Sequence, residues 1–155
     1  MQLETLGRVL EQDAIAPTFV SRDGEIVLAL GAAGGFRILS AVVETISRNI
    51  DHGMGIGQAV ASPRVQPGMR IDAEAGSFGI VGENLIMETT PENGWNPAVL
   101  AELAAQGYEV TETPRYAAFG RVNAVSYDGR AWTGMADLDW EGSAYGPSQG
   151  FCAGR

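Results

Sequence analysis

A strand that runs into paired glycines and then into a long helix constrains this chain more than any other stretch. Glu25-Ile26-Val27-Leu28-Ala29-Leu30, opened by the turn pair Asp23-Gly24, is rich in apolar and β-branched residues and reads as a strand. Gly31-Ala32-Ala33-Gly34-Gly35-Phe36-Arg37-Ile38-Leu39 follows. Ile38, Leu39, Val42, Val43, Ile46 and Ile50 then recur at helical spacing up to the polar stop Asp51-His52-Gly53, predicting a helix over 35–51. A strand, a tight glycine loop and a helix N-terminus bring several backbone N–H groups to one point. Such a point stabilises an anion, whether a carboxylate, a phosphate or the oxyanion of an acyl-transfer intermediate. The same glycines also suit a plainer purpose, a sharp turn where side chains would clash. The residues alone leave both open.

The rest of the chain narrows the setting. Its 155 residues, 45% hydrophobic and 19% charged, suffice for one domain with a core. Acidic side chains outnumber basic ones by 19 to 10, a formal net charge of -9, and no basic run exists to neutralise phosphates. That balance argues against nucleic acid and against an anionic membrane surface as partners. The single cysteine, Cys152, excludes an intrachain disulfide and a multi-cysteine zinc site. With one histidine, His52, in a helix-terminal Asp-His-Gly sequence, a capping contact is expected there, and neither a metal nor a cofactor is implied. No basic start with an apolar run marks a signal peptide, and no apolar run reaches the roughly 18 residues that cross a bilayer. The chain as written reads as soluble, and its compartment stays open because an upstream leader would change it.

Taken in order, residues 1–13 predict a short amphipathic helix with Leu3, Leu6, Val9 and Leu10 on one side. Pro17–Ser21 and Glu25–Leu30 form a hairpin around Asp23-Gly24. A second short helix ends at Pro63, and the alternating Gly53, Gly55 and Gly57 before it follow a helix, which is the wrong context for a dinucleotide fingerprint. Residues 66–94 are hardest to read, with Met69–Asp72 and Asn84–Glu88 as short strands. Asn96–Gln106 predicts a helix with Val99, Leu100 and Leu103 inward, and Tyr108–Thr113 a strand. Phe119–Tyr127 and Arg130–Ala136 flank Asp128-Gly129 as a second hairpin with the same turn signature, and Ser143–Gly146 is one more strand candidate. Residues 147–155 read as a flexible glycine-rich tail. The expected class is α+β or layered α/β, mainly antiparallel strands with two main helices, in a single domain over 1–155. Glu25–Leu30 is apolar on both faces, as in a sheet covered from both sides. Two helices cannot supply all that cover, so some of it is expected from another chain or a missing segment.

The order of several short motifs resembles the gamma-glutamyltranspeptidase family, in the later part of its small subunit. These are Pro17-Thr18 before the Asp-Gly hairpin, Gly31-Ala32-Ala33-Gly34-Gly35-x-Arg37-Ile38, Asn49-Ile50-Asp51-His52-Gly53-Met54 and Ala61-Ser62-Pro63-Arg64. Gly107-Tyr108-Glu109-Val110, Gly120-Arg121-Val122-Asn123-Ala124 and Gly134-Met135-Ala136-Asp137 continue the likeness, which spans about residues 16–146. It implies a slice of the four-layer αββα fold of N-terminal-nucleophile hydrolases. In that family a threonine freed by self-cleavage attacks a γ-glutamyl amide, and its own α-amine can serve as base. The family's oxyanion glycines correspond to Gly34 and Gly35. Its threonine, and the acidic residue that grips the substrate's α-amine, lie upstream of anything matching here, so this chain alone is expected to be inactive. A large-subunit-like chain or missing N-terminal segment is the implied partner, or otherwise a second copy of this chain. The implied substrate is a small γ-glutamyl amide.

Departures from the family accompany the match. Its paired serines fall near Asp13 and Ala14, which cannot reproduce two hydroxyl donors, and a carboxylate there would repel a glutamyl carboxylate. The family's Asp-Pro-Arg reads Asp137-Leu138-Asp139 here, which removes a positive charge. These changes favour a branch acting on other amides, or a non-catalytic relative serving as a binding or assembly module. An unrelated anion-binding α+β domain is a third reading. Arg37, at the start of the helix, is a candidate to bind an anion at the loop, or else to pair with a nearby carboxylate. Arg64 reads as structural, holding the short helix against the sheet. Asp137 and Asp139 share a strand face and are expected to be solvated. Trp95, Trp132 and Trp140 are too scattered for a stacking platform, and Thr18 and Ser21 have no base nearby.

Overall fold

The computed structural model describes residues 16–72, 77–89, 94–138, 143–144 and 152–153. The expected N-terminal helix over 1–13, and Asp13, Ala14, Asp139 and Trp140 with it, lie outside the described residues. The chain forms two compact units, one from Met1–Ser62 with Gly120–Arg155, the other from Pro63–Phe119.

The first unit is built on a four-stranded antiparallel sheet of β1 (Thr18–Arg22), β2 (Glu25–Ala33), β6 (Arg121–Tyr127) and β7 (Trp132–Ala136), in the order β1-β2-β6-β7. Asp23 and Gly24 both take positive φ, +53° and +86°, the mirror-image turn whose twist suits a two-residue hairpin. β2 runs three residues past its expected end. Gly31, Ala32 and Ala33 have poor strand propensity, but each is paired, to Asn123, Val122 and Arg121 of β6. Leu28, Leu30, Val122 and Ala124 form one face of the sheet. They pack on Ile38, Ala41 and Val42 of α1 (Arg37–Ile46) and on Ile56 and Val60 of α2 (Ile56–Ala61).

That core uses four of the six apolar residues in the stripe read from the sequence, with Ile46 and Ile50 packed against it partly buried. Ile38 and Val42 are buried, whereas Leu39 and Val43 face outward, each 62% exposed. The opposite face of the sheet is also open among the described residues, with Phe19 65% exposed and Val125 half-exposed. Cover on both faces, expected from the composition of β2, is therefore seen on one.

The helix expected over 35–51 begins at Arg37 and changes character before it ends. Ser47–Asp51 is a π-helical turn, closed by the His52 N–H donating to the Ser47 carbonyl at 3.0 Å. Local bonds hold the wide turn open: Asn49 Nδ2 donates to the Met54 carbonyl at 2.7 Å, and the Met54 N–H to the Arg48 carbonyl at 2.9 Å. The Arg48 guanidinium reaches Glu44 at 2.8 Å. His52 is the capping residue, as its place before Gly53 suggested.

The second hairpin differs from the first despite the shared Asp-Gly pair. Here only Gly129 has positive φ, and the loop is four residues long, closed by the Asp128 N–H on the Ala131 carbonyl. The Asp128 carboxylate accepts from the N–H groups of Arg130 and Ala131 at 2.8 and 2.9 Å. Those bonds, Ala131's first and Arg130's next, hold its pKa below the usual 3.8. A carboxyl lowered by folding adds stability above its unfolded pKa and loses that contribution as pH falls through its folded value. Acidification below 3.8 is therefore expected to loosen this loop. An NMR titration checks it: the Asp128 carboxyl should titrate below free aspartate, and the Arg130 and Ala131 amides should move with it. Ser143–Ala144 and Cys152–Ala153 pair as two short antiparallel strands, the latter within the expected flexible tail.

The second unit holds a long hairpin, β3 (Val65–Asp72) and β4 (Ser77–Glu88), with β5 (Glu109–Thr113) parallel to β4. Both hairpin strands exceed their expected lengths. Pro67, Gly68, Gly79 and Gly82 hide them from a propensity reading, while the ladder supplies the pairing, with an irregularity at Pro67/Gly68. α3 (Pro97–Ala105) crosses from β4 to β5, with Asn96 as its cap accepting from the Ala98 N–H at 2.9 Å. Its inward residues fall short of expectation: Leu100 and Leu103 are half-buried, and Val99 is exposed. A short turn, α4 (Arg115–Ala118), closes the unit.

Candidate functional site

The turn between β2 and α1 is built entirely within the first unit. Gly34 takes φ +141° and Gly35 φ +62°, so the chain leaves the strand through conformations that disfavour side chains. The Arg37 and Ile38 N–H groups bond back to the carbonyls of Gly34 and Gly35 at 3.4 and 3.1 Å, which starts the helix. Among the described residues, the N–H groups of Gly34 and Gly35 themselves donate to nothing. Two adjacent amide donors, left over at a helix N-terminus and on an exposed loop, can stabilise an oxygen anion.

The turn is also tightly seated, as its plainer reading required. A Cβ at Gly34 would lie 3.0 Å from Gly120 Cα, while one at Gly35 would meet nothing within 4 Å. Gly120, just before β6, is buried, and a Cβ there would lie 2.8 Å from the Arg37 carbonyl oxygen and 3.1 Å from Ala41 Cβ. Sharp turn and donor site are thus one structure. Sequence reasoning missed Gly120, because a close approach of two backbones leaves no local signal.

Arg37 occupies the first position of α1, partly buried. Its side chain makes no hydrogen bond or ion pair among the described residues, so the alternative of pairing with a nearby carboxylate is not met there. Thr18 is tied locally, its hydroxyl donating to the Ala16 carbonyl at 3.1 Å. Trp132 lies over Tyr127 across the second hairpin, ring centres 5.3 Å apart.

One expectation is corrected and another is extended. Asp137 is fully buried rather than solvated, and its Oδ2 accepts the Val122 N–H at 3.1 Å. It follows directly on the last residue of β7, and its carboxylate takes up an amide at the start of β6. Arg64 is buried as a structural residue should be, and its main chain belongs to a polar cluster that sequence reasoning did not foresee. Its N–H donates to Glu88 Oε2 at 3.0 Å, and its carbonyl accepts from the Glu88 N–H and from Trp95 Nε1 at 2.8 and 3.0 Å. Glu88 Oε1 pairs with the buried Arg115 Nε at 2.8 Å. The one available signal was a glutamate closing the apolar run Leu85-Ile86-Met87.

An open hollow of about 510 Å³ lies on the uncovered face of the first sheet, over Phe19, Ala29, Gly31, Asn123 and Val125. Among the described residues no group of three or more His, Cys, Asp or Glu could hold a metal ion, and no helix is long and apolar enough to cross a membrane.

A family model described as Gamma-glutamyltranspeptidase matches residues 11–146. Similar curated proteins include the acylase ACY 1 proenzyme of Pseudomonas sp. (strain SE83), 32% identical over 115 residues, which are 74% of this chain and 17% of the relative. The glutathione hydrolase proenzyme of Bacillus subtilis (strain 168) is 29% identical over 135 residues, 86% of this chain and 20% of the relative. A gamma-glutamyltranspeptidase structure from Pseudomonas nitroreducens superposes with a TM-score of 0.67 at 22% identity, covering 87% of this chain and 63% of that one. That likeness shows the fold, the layered α+β arrangement of N-terminal-nucleophile hydrolases. The chain spans about a fifth of the length of these two curated relatives.

Proposed function

Because this chain belongs to the gamma-glutamyltranspeptidase family, we propose that it supplies the oxyanion loop of an amide-cleaving, acyl-transferring site. The Gly34 and Gly35 N–H groups are the donors, and the observation that carries the reading is that both are uncommitted on an exposed turn. A threonine hydroxyl from a nucleophile-bearing segment or large-subunit-like chain adds to the amide carbonyl carbon and drives the electron pair onto oxygen. The two amides hold that O⁻ while the tetrahedral intermediate collapses and expels the amine. Water or an acceptor amine then takes the acyl group from the ester. No histidine is needed where the threonine's own α-amine accepts the proton. Arg37, with its side chain uncommitted at the loop, is the contact for an anionic group on the substrate.

The partner reading rests on the open sheet face and its exposed Phe19, an apolar surface of the kind that association covers. The first reading for the acyl donor is a small γ-glutamyl amide. Asp13 and Ala14 at the family's serine positions, together with the acylase relative, favour a second reading, an amide whose acyl group lacks the α-carboxylate. A chromogenic γ-glutamyl anilide tests the proposal. The purified chain alone is expected to show no turnover, and turnover is expected once a nucleophile-bearing partner is added. Turnover by the chain alone would overturn the division of labour. Preference for an acyl anilide without the α-carboxylate would select the second substrate class. No turnover of either substrate with the partner present would leave the non-catalytic module as the better account.

A further inference from the structure

We propose that Gly120 and Asp137 are positioning residues for the oxyanion loop: Gly120 is the surface on which Gly34 and the first turn of α1 rest, and the buried Asp137 carboxylate holds that surface in place. The proposal takes the oxyanion role of Gly34 and Gly35 as its premise.

The geometry is a short relay within the first unit. Asp137, fully buried just past the end of β7, accepts the Val122 N–H on Oδ2 at 3.1 Å, which fixes the start of β6. Arg121, the preceding residue, is the ladder partner of Ala33, the last residue of β2 before the loop. Gly120 comes one residue earlier, where β6 begins to face the loop. Its Cα is the nearest atom to the space a Gly34 side chain would enter, at 3.0 Å. A side chain on Gly120 itself would meet the Arg37 carbonyl at 2.8 Å, well inside ordinary contact, so loop or helix would have to retreat by roughly half an ångström. Oxyanion donors work only about 2.7–3.1 Å from the oxygen they stabilise. Half an ångström is a large part of that tolerance. The turn therefore takes its position from β6 and β7 as well as from its own two glycines.

The test compares Gly120→Ala, Asp137→Ala and Asp137→Asn with a control, Ile50→Ala, which trims the edge of the core in the π-helical turn roughly 20 Å along the helix from the loop. Activity is measured on this chain assembled with its nucleophile-bearing partner, below each variant's unfolding temperature. Gly120→Ala and Asp137→Ala are expected to lower kcat about tenfold or more with KM within about twofold. Asp137→Asn, which keeps an oxygen for the Val122 N–H, should restore most of the loss. Ile50→Ala should lower Tm and leave kcat unchanged. Amide NMR of the chain alone supplies a readout independent of catalysis. Asp137→Ala should shift the Gly34 and Gly35 N–H resonances although residue 137 is not their neighbour in sequence, and Ile50→Ala should not. Unmoved glycine resonances in Asp137→Ala overturn the positioning role, as does a kcat loss that merely follows Tm in all variants. Shifted resonances with unchanged kcat would instead overturn the oxyanion assignment beneath it. If Gly120→Ala does not fold, the two Asp137 variants still decide the matter.

Discussion

Alanine in place of Gly34 is expected to cut amide turnover about 10²–10³-fold in the enzyme assembled with its nucleophile-bearing partner, the loss typical of a displaced oxyanion donor. Alanine at Gly35 should cost less than about tenfold. The two positions look alike in sequence and differ in space. Gly34 sits at φ +141°, which L residues scarcely adopt, and its new Cβ would lie 3.0 Å from the Gly120 backbone, which cannot swing aside as a side chain would. The loop must move, and the donors move with it. Gly35 sits at φ +62°, in the left-handed well that alanine enters for about 1–2 kcal/mol, with nothing within 4 Å of the added methyl. Steady-state kinetics on a γ-glutamyl anilide check the pair. Equal effects at both positions, or a Gly34 effect confined to KM, would mean that the loop binds substrate without stabilising the transition state.

Replacing Arg115 with methionine should destabilise the protein by about 3–5 kcal/mol, because it leaves the Glu88 carboxylate buried without its counter-charge. Arg115 and Glu88 are 3% and 1% exposed, with Nε and Oε1 2.8 Å apart. The other carboxylate oxygen accepts the Arg64 N–H, so the charge is held on both sides and cannot turn toward water. The double substitution Arg115→Met with Glu88→Gln should recover part of the loss, since it removes the buried charge on Glu88 and keeps an acceptor for the Arg64 N–H. Urea unfolding tells the cases apart through the midpoint at unchanged slope. A single variant as stable as the double would mean that water reaches Glu88.

Much of the first unit was legible locally. The Asp23-Gly24 hairpin needs only a dipeptide that tolerates positive φ at both positions, and the recurrence from Ile38 to Ile50 marks the helix by spacing alone. Two features escaped for one reason. Asp137 reads as a surface carboxylate beside a hairpin, and Glu88 as a polar residue closing a strand. Burial of either is decided by an amide or guanidinium that other strands and turns bring to it. The long β3–β4 hairpin was read only in part, as Met69–Asp72 and Asn84–Glu88, because Pro67, Gly68, Gly79 and Gly82 carry no strand propensity and the register between the two strands holds them extended.

By itself, the sequence determined the family, through the order of its motifs, and the place where a strand must turn into a helix through paired glycines. Those depend on residue identity and near neighbours, which a chain carries before it folds. Tertiary structure decided that Gly34 is the intolerant glycine and Gly35 the tolerant one, that Gly120 lies beneath the turn, and which apolar side chains of α1 stay uncovered. The distance between two backbones is set by what packs between them. Here that is nothing but hydrogen atoms, and no residue letter records it.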